Sequence, residues 1–121
     1  MRKSMIMTLL AVSLATAAQA GSFCDGMDHS FKGMSFPKQV DEVTIGLSAS
    51  CKNDHVSTHF LVTDERAVAF LRGGEDVMRE ETCNEPLIKR MTSVGISAEY
   101  TYYADKTYEM ILNFTCKPEG I

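Results

Sequence analysis

Four cysteines, Cys24, Cys51, Cys83 and Cys116, follow one another at intervals of 27, 32 and 33 residues, and this spacing constrains the 121-residue chain more than any other feature. A structural zinc site draws its ligands from short Cys-x-x-Cys knuckles, because four donors must converge on one ion. A thioredoxin-like redox pair needs the same short spacing. Neither occurs here. An even number of widely separated cysteines in a small chain reads as a disulfide framework, formed outside the reducing cytosol. Four cysteines allow three pairings, and sequence alone does not choose among them. The favoured set is Cys24–Cys51 with Cys83–Cys116. Each closes a loop of about 30 residues, for which chain entropy gives roughly 3–4 kcal/mol. That is a large share of the roughly 5–15 kcal/mol that holds a domain together.

The first twenty residues supply the export route that disulfides require. Arg2 and Lys3 form a positive start, Ile6 to Leu14 an apolar stretch, and Ala18-Gln19-Ala20 a small-x-small cleavage site. The apolar stretch is too short, and too interrupted by Ser and Thr, for a membrane span. Phe23 stands directly before Cys24, where a lipoprotein signal needs a small residue, so no lipid anchor is expected. The expected plan is a cleaved signal peptide over residues 1–20 and one domain over residues 21–121, in the bacterial periplasm or secreted. Cleavage removes two basic residues and no acid, which leaves 10 basic against 16 acidic residues and a net charge of about −6. That balance argues against nucleic acid or an anionic membrane surface as partner. With no second apolar segment of spanning length, stable membrane insertion is not expected.

Periodicity divides the domain. Residues 21–39 show little, with Phe23, Met27, Phe31, Met34 and Phe36 scattered among glycines, and read as an ordered arm with at most one helical turn. From Val43 the alternation is strict, with Val43, Ile45, Leu47, Ala49 and Cys51 on one face of a strand. Lys52-Asn53-Asp54 is a turn. A second strand follows with Val56, Thr58, Phe60 and Val62 inward and His59 and Leu61 outward. Ala67, Phe70, Leu71, Gly74, Val77 and Met78 then recur at threes and fours, a helix started by Thr63 or Asp64 and weakened at Gly73-Gly74. A second helical segment begins near Pro86, carries Leu87, Ile88 and Met91, and ends before Gly95. Two further strands are predicted, one with Ile96, Ala98, Tyr100 and Tyr102 inward, the other with Tyr108, Met110, Leu112, Phe114 and Cys116 inward. Ala104 to Thr107 is the turn between them. The expected fold is a small, disulfide-stapled α+β domain. Its antiparallel sheet has about four strands, ordered two strands, helical region, two strands, with helices on one face.

The pattern Pro37-x-x-Val40-Asp41-x-x-Thr44, the Cys83-Asn84-x-Pro86 helix end, Val94-Gly95-Ile96 leading to Tyr100-Thr101-Tyr102, and the closing Cys116 span residues 35–116. Together they resemble a widespread group of small exported bacterial proteins with a Cys-x-x-Pro helix end, a Gly-Val-x-x-x-Tyr-x-Tyr strand and a terminal strand ending in cysteine. The chain departs from the group at Lys106-Thr107, where a turn glycine is usual, and at Thr115-Cys116, where Asp-Cys is usual. The resemblance implies the Cys83–Cys116 pairing and the α+β order. It implies no enzyme activity.

Candidate chemistry is sparse. Asp28 and His29 read as a polar loop beside a disulfide. His55 and His59 share a strand face but stand roughly 13 Å apart by the rise per residue, too far for one ion. No serine has a nucleophile-elbow context, and disulfides claim every cysteine. Glu75, Asp76, Glu80, Glu81 and Glu85 form an acidic band on the helical region. Of these, Glu75, Asp76, Glu80 and Glu81 are candidate docking residues for a basic partner. Tyr103 and Tyr108, across the last turn, are the aromatic candidates, since Tyr is typical of binding hot spots. No catalytic residue, metal ligand or cofactor is expected. The reading is a non-catalytic periplasmic binding or accessory protein, assisting an envelope or secretion assembly, whose partner is another envelope or secreted protein. The alternative is an inhibitor or immunity protein that presents Lys52 to His55 or Ala104 to Thr107 to an enzyme's cleft.

Overall fold

Apolar residues at every second or every third-to-fourth position settle into nine elements in the computed structural model, which describes residues 23–118. The expected signal segment lies outside the described residues. The order is α1 (Phe23–Lys32), β1 (Lys38–Asp41), β2 (Thr44–Lys52), β3 (His55–Val62), α2 (Glu65–Arg72), α3 (Glu75–Cys83), α4 (Pro86–Ser93), β4 (Ser97–Ala104) and β5 (Met110–Cys116). The fold is a small α+β domain with a five-stranded sheet in the order β1-β2-β3-β4-β5.

Two features correct the expected sheet. The arm contributes a fifth strand, β1, antiparallel to β2. The sheet is also mixed, because β3 and β4 pair in parallel, from His55 with Ser97 to Val62 with Ala104. Both hairpins, β2–β3 and β4–β5, are antiparallel as read from the sequence. What periodicity does not encode is how the hairpins join. The α2–α4 excursion carries the chain back to the end at which β3 began, and a parallel pair needs a crossover of that length.

The arm itself is a ten-residue helix rather than a single turn. Phe23, Met27 and Phe31 recur every four residues and are buried on one stripe. A disulfide joins Cys24 of α1 to Cys51 of β2, and the Asp28 carboxylate accepts the Cys51 N–H at 3.0 Å. The second disulfide, Cys83–Cys116, joins the ends of α3 and β5. The turn after β2 places Asn53 and Asp54 at φ 54° and 61°, between the paired Lys52 and His55. Two residues of positive φ match the right-handed strand twist, and Asn and Asp tolerate that region.

The core lies between the sheet and the helices. Phe60, Tyr100, Tyr102 and Phe114 stack across three strands, with ring centroids 5.0 Å apart for Phe60–Tyr102 and 5.3 Å for Tyr100–Phe114. Leu71, Met78, Ile88 and Met91 cover them from α2, α3 and α4. Each such side chain contributes about 1.5–3 kcal/mol on burial. The Gly73-Gly74 pair divides α2 from α3, and Pro86 opens α4. Gly95, at φ 90°, follows that helix in the region that favours glycine.

Strand phase is the main correction to the inward-facing set. In β2 the buried residues are Thr44 and Gly46, opposite Val62 and Phe60, while Ile45 lies opposite Leu61 on the other face. A bulge at Leu47 then resets the phase, and Ala49 and Cys51 turn inward. β5 repeats the device. Met110 pairs with Tyr103 on the helix-free face, Ile111 is the extra residue, and Leu112, Phe114 and Cys116 face the core. One inserted residue exchanges the faces of everything on its far side.

Candidate functional site

The helices cover one face of the sheet, and the other face holds the polar network and the tyrosine candidates. Parallel register sets His55, Ser57, His59 and Leu61 beside Ser97, Glu99, Thr101 and Tyr103. His55 is bonded through Nδ1 to Ser97 Oγ and through Nε2 to Glu99 Oε1 at 2.9 Å. Asn113 Nδ2 donates to Glu99 Oε2 and to Thr101 Oγ1, both at 2.9 Å. The hydrogen bonds from His55 and then Asn113 hold the Glu99 carboxyl below its ordinary value.

Ser97, His55 and Glu99 share the residue types of a hydrolytic relay. The surroundings point to a structural ladder instead. An acyl-transfer site needs donors aimed at a developing oxyanion, and the Ser97 N–H is already given to Asp54 O at 3.0 Å. Glu99 is shared with Asn113 from β5, so the network ties three strands together. His55 and His59 face the same way, yet each has its own partners. Among the described residues no three His, Cys, Asp or Glu side chains converge as metal ligands.

The apolar half of this face surrounds His59 and Tyr103. Tyr103 Oη lies 3.0 Å from His59 Nδ1, and the two rings stack with centroids 5.8 Å apart. Leu47, Ser48, His59, Tyr103 and Tyr108 line a concavity of about 360 Å³. Tyr108 is 67% exposed and Met110 58%. Tyr108 also departs from the expected inward strand position. It sits in the turn at φ 58°, its N–H bonded to Ala104 O at 2.8 Å. A non-glycine residue held in that region costs roughly 1–3 kcal/mol.

The acidic candidates lie elsewhere. Glu75, Asp76, Glu80 and Glu81 are exposed on α3, in the helical layer. Arg79 pairs with Glu75 and with Asp76, so part of the band is internally neutralised. The structure therefore does not bring the acids and the tyrosines into one site. His29 is exposed in the last turn of α1, while Asp28 beside it serves Cys51. Of the two loops suited to an inhibitor, Lys52 to His55 is a tight two-residue turn. The Ala104–Thr107 loop is tied down by Asp105 N–H to Val62 O at 3.0 Å and by Lys106 to Glu65. The sequence offered His59 only as a metal ligand beside His55, and Leu47 and Met110 not at all. For Leu47 and Met110 the strand alternation pointed to the wrong face, and a bulge has no marker in this sequence.

No family model and no curated protein matches the chain. Solved structures do. A protein of Pseudomonas aeruginosa thought to be secreted aligns with a TM-score of 0.56 at 13% identity, over 75% of this chain and 87% of its own. The type II secretion system pilotin of Vibrio vulnificus aligns at 0.50 and 11% identity, over 90% and 94% of the two chains. The pilotin of the same system from Vibrio cholerae aligns at 0.50 and 13%, over 96% and 98%. At these identities the likeness is one of fold, a small α+β domain shared along most of each chain.

Proposed function

We propose that this chain is a non-catalytic accessory protein of an envelope or secretion assembly that works by holding another envelope or secreted protein. On this reading residues 1–20 direct export and are removed, and residues 21–121 act in the periplasm or beyond. One observation carries it: the helix-free sheet face presents Tyr108 and Met110 beside the stacked His59–Tyr103 pair, with Tyr108 held exposed at the expense of backbone strain. Exposed aromatic side chains around a shallow concavity are the anchors that protein interfaces use. The fold shared with two type II secretion pilotins supports a role in assembly, and the two disulfides suit an oxidising compartment.

The test is capture of a partner from periplasmic extract on immobilised residues 21–121, compared with a Tyr103→Ala/Tyr108→Ala variant. The expected result is one stoichiometric partner, retained at moderate salt and lost from the variant. A second variant, Glu80→Lys/Glu81→Lys, asks whether the acidic helix contributes. Capture unchanged by the tyrosine variant, or no partner at low and moderate salt, would reject the reading.

A further inference from the structure

The two edges of the sheet are finished differently. β1 has four residues and opens on Lys38, its register with β2 is broken between Gln39 and Asp41, and the Gln39 side chain folds back onto the carbonyls of Asp41 and Thr44. Short length, lysine and irregularity are the devices by which sheets keep an edge from pairing. β5 has none of them beyond its first residues. It runs seven residues, its one irregularity lies at Ile111, and no lysine or proline occurs before Lys117-Pro118. In an antiparallel pair every second residue of the edge strand turns its N–H and C=O away from the partner. Among the described residues, Leu112 to Cys116 therefore offers a regular ladder with no strand paired to its outer side.

A helix walls this open edge. α3 runs alongside β5 in the same direction: Arg72, just before α3, pairs with Glu109, just before β5, at 2.8 Å, and Cys83 at its end is joined to Cys116. Between them lies a cleft of about 760 Å³, with Asn113 to Lys117 along one side and α3 along the other. Its α3 wall carries Asp76, Arg79 and Glu80, of which Arg79 is paired with Asp76 and with Glu75. Lys89 of α4 also lines the cleft, and Lys117 lies at the end nearest the disulfide; Glu80, Lys89 and Lys117 make no ion pair among the described residues. Glu80 is three residues before Cys83, about 5 Å along a helix, and Lys117 is one residue past Cys116, about 3 Å along a strand. The two charges are thus separated by roughly the repeat of one strand face, two residues.

We propose that the β5 edge is a peptide-recognition site. An extended segment of a partner protein adds to the sheet as a sixth strand, antiparallel to β5, with alternate side chains in the cleft against α3. Its cleft-facing side chains are an acid opposite Lys117 and, two residues later, a base opposite Glu80. Main-chain hydrogen bonds to the edge supply binding, and this acid-x-base order supplies selectivity. The site is separate from the tyrosine face and does not rest on the secretion reading.

The experiment is a titration of ¹⁵N-labelled residues 21–121 with two capped heptapeptides of equal composition, Thr-Val-Glu-Thr-Lys-Val-Thr and Thr-Val-Lys-Thr-Glu-Val-Thr. The first should shift the amides of Leu112 to Lys117 and of α3 saturably, and bind at least threefold tighter than the second. Glu80→Lys and Lys117→Glu, both at exposed positions that leave the core intact, should each weaken the first peptide at least threefold. Equal affinity for the two peptides would overturn the proposal, as would shifts centred on Leu47, Tyr103 and Tyr108. So would the absence of saturable shifts, or concentration-dependent self-association that protects the β5 amides without peptide. Partner capture that depends on Tyr108 stands or falls independently of all these outcomes.

Discussion

Cys83 ends α3 and Cys116 ends β5, and the disulfide between them brings their Cα atoms to 5.3 Å across 33 residues of chain. Through this bond the helical layer is held to the edge strand at the point where the sheet is open. The crosslink acts on the unfolded chain by closing a loop, which corresponds to roughly 3–4 kcal/mol for a loop of this length. In the folded chain it sets the separation of α3 from the strand edge. The Cys83→Ala/Cys116→Ala variant is expected to lose about that much stability in urea titration. Amide exchange should also quicken in α3 more than in β3 or β4. Uniform acceleration across the domain would mean that the bond stabilises without holding the helix in place.

Tyr108 combines a left-handed backbone with an exposed ring. Glycine adopts that backbone without the steric penalty of a Cβ, although it adds freedom to the unfolded chain. Tyr108→Gly is therefore expected to leave stability unchanged or raise it by up to about 1 kcal/mol in thermal denaturation, while partner capture falls. Loss of stability and capture together would show that the ring packs rather than recognises.

The carboxyl of Glu99 is lowered from 4.5, first by the hydrogen bond with His55 and second by that with Asn113. A carboxylate whose folded pKa is depressed contributes stability that is fully present above its unfolded value and is lost as pH falls through the folded one. Wild type should therefore exceed Glu99→Gln in urea stability at pH 6–7. The difference should shrink below about pH 4.5 and vanish once the folded carboxyl is protonated. A difference independent of pH would assign the effect to the shape of the side chain instead of its charge.

The helical face of the sheet was legible in the sequence because Val56, Phe60, Tyr100, Tyr102 and Phe114 alternate without interruption. The opposite face was not, and the reason is local. Val43 to Cys51 and Tyr108 to Cys116 both read as unbroken alternation, yet the bulges at Leu47 and Ile111 reverse the phase of the residues before them. Leu47 and Met110, predicted for the core, thereby become part of the surface beside Tyr103. Helix α1 escaped for a different reason: its stripe of Phe23, Met27 and Phe31 has one apolar residue per turn, too thin a signal to separate from an irregular arm. Of the candidate site, Tyr103, Tyr108 and the α3 acids were legible by residue type. Their separation onto different surfaces, and the open edge of β5, depend on strand order, which only the parallel β3–β4 junction determines.

The break between α2 and α3 rests on two adjacent glycines that differ in their surroundings. A Cβ on Gly74 would stand 2.8 Å from the Phe70 carbonyl oxygen, a main-chain atom that cannot swing aside, whereas a Cβ on Gly73 meets nothing within 4 Å. Both have negative φ, −107° at Gly73 and −110° at Gly74, so neither position demands glycine for its backbone angle. Gly73→Ala should thus be neutral or stabilising, by up to about 1 kcal/mol, through the reduced freedom of the unfolded chain. Gly74→Ala must push α3 away from the end of α2 and should lose about 1–3 kcal/mol. Because α3 also forms the wall of the β5 cleft, the same variant should shift the amide resonances of Asn113 to Lys117, which Gly73→Ala leaves in place. Urea titration and ¹⁵N spectra of the two variants check both halves. Equal effects from the two alanines would show that the break is set by the composition of the segment rather than by the close approach at Gly74.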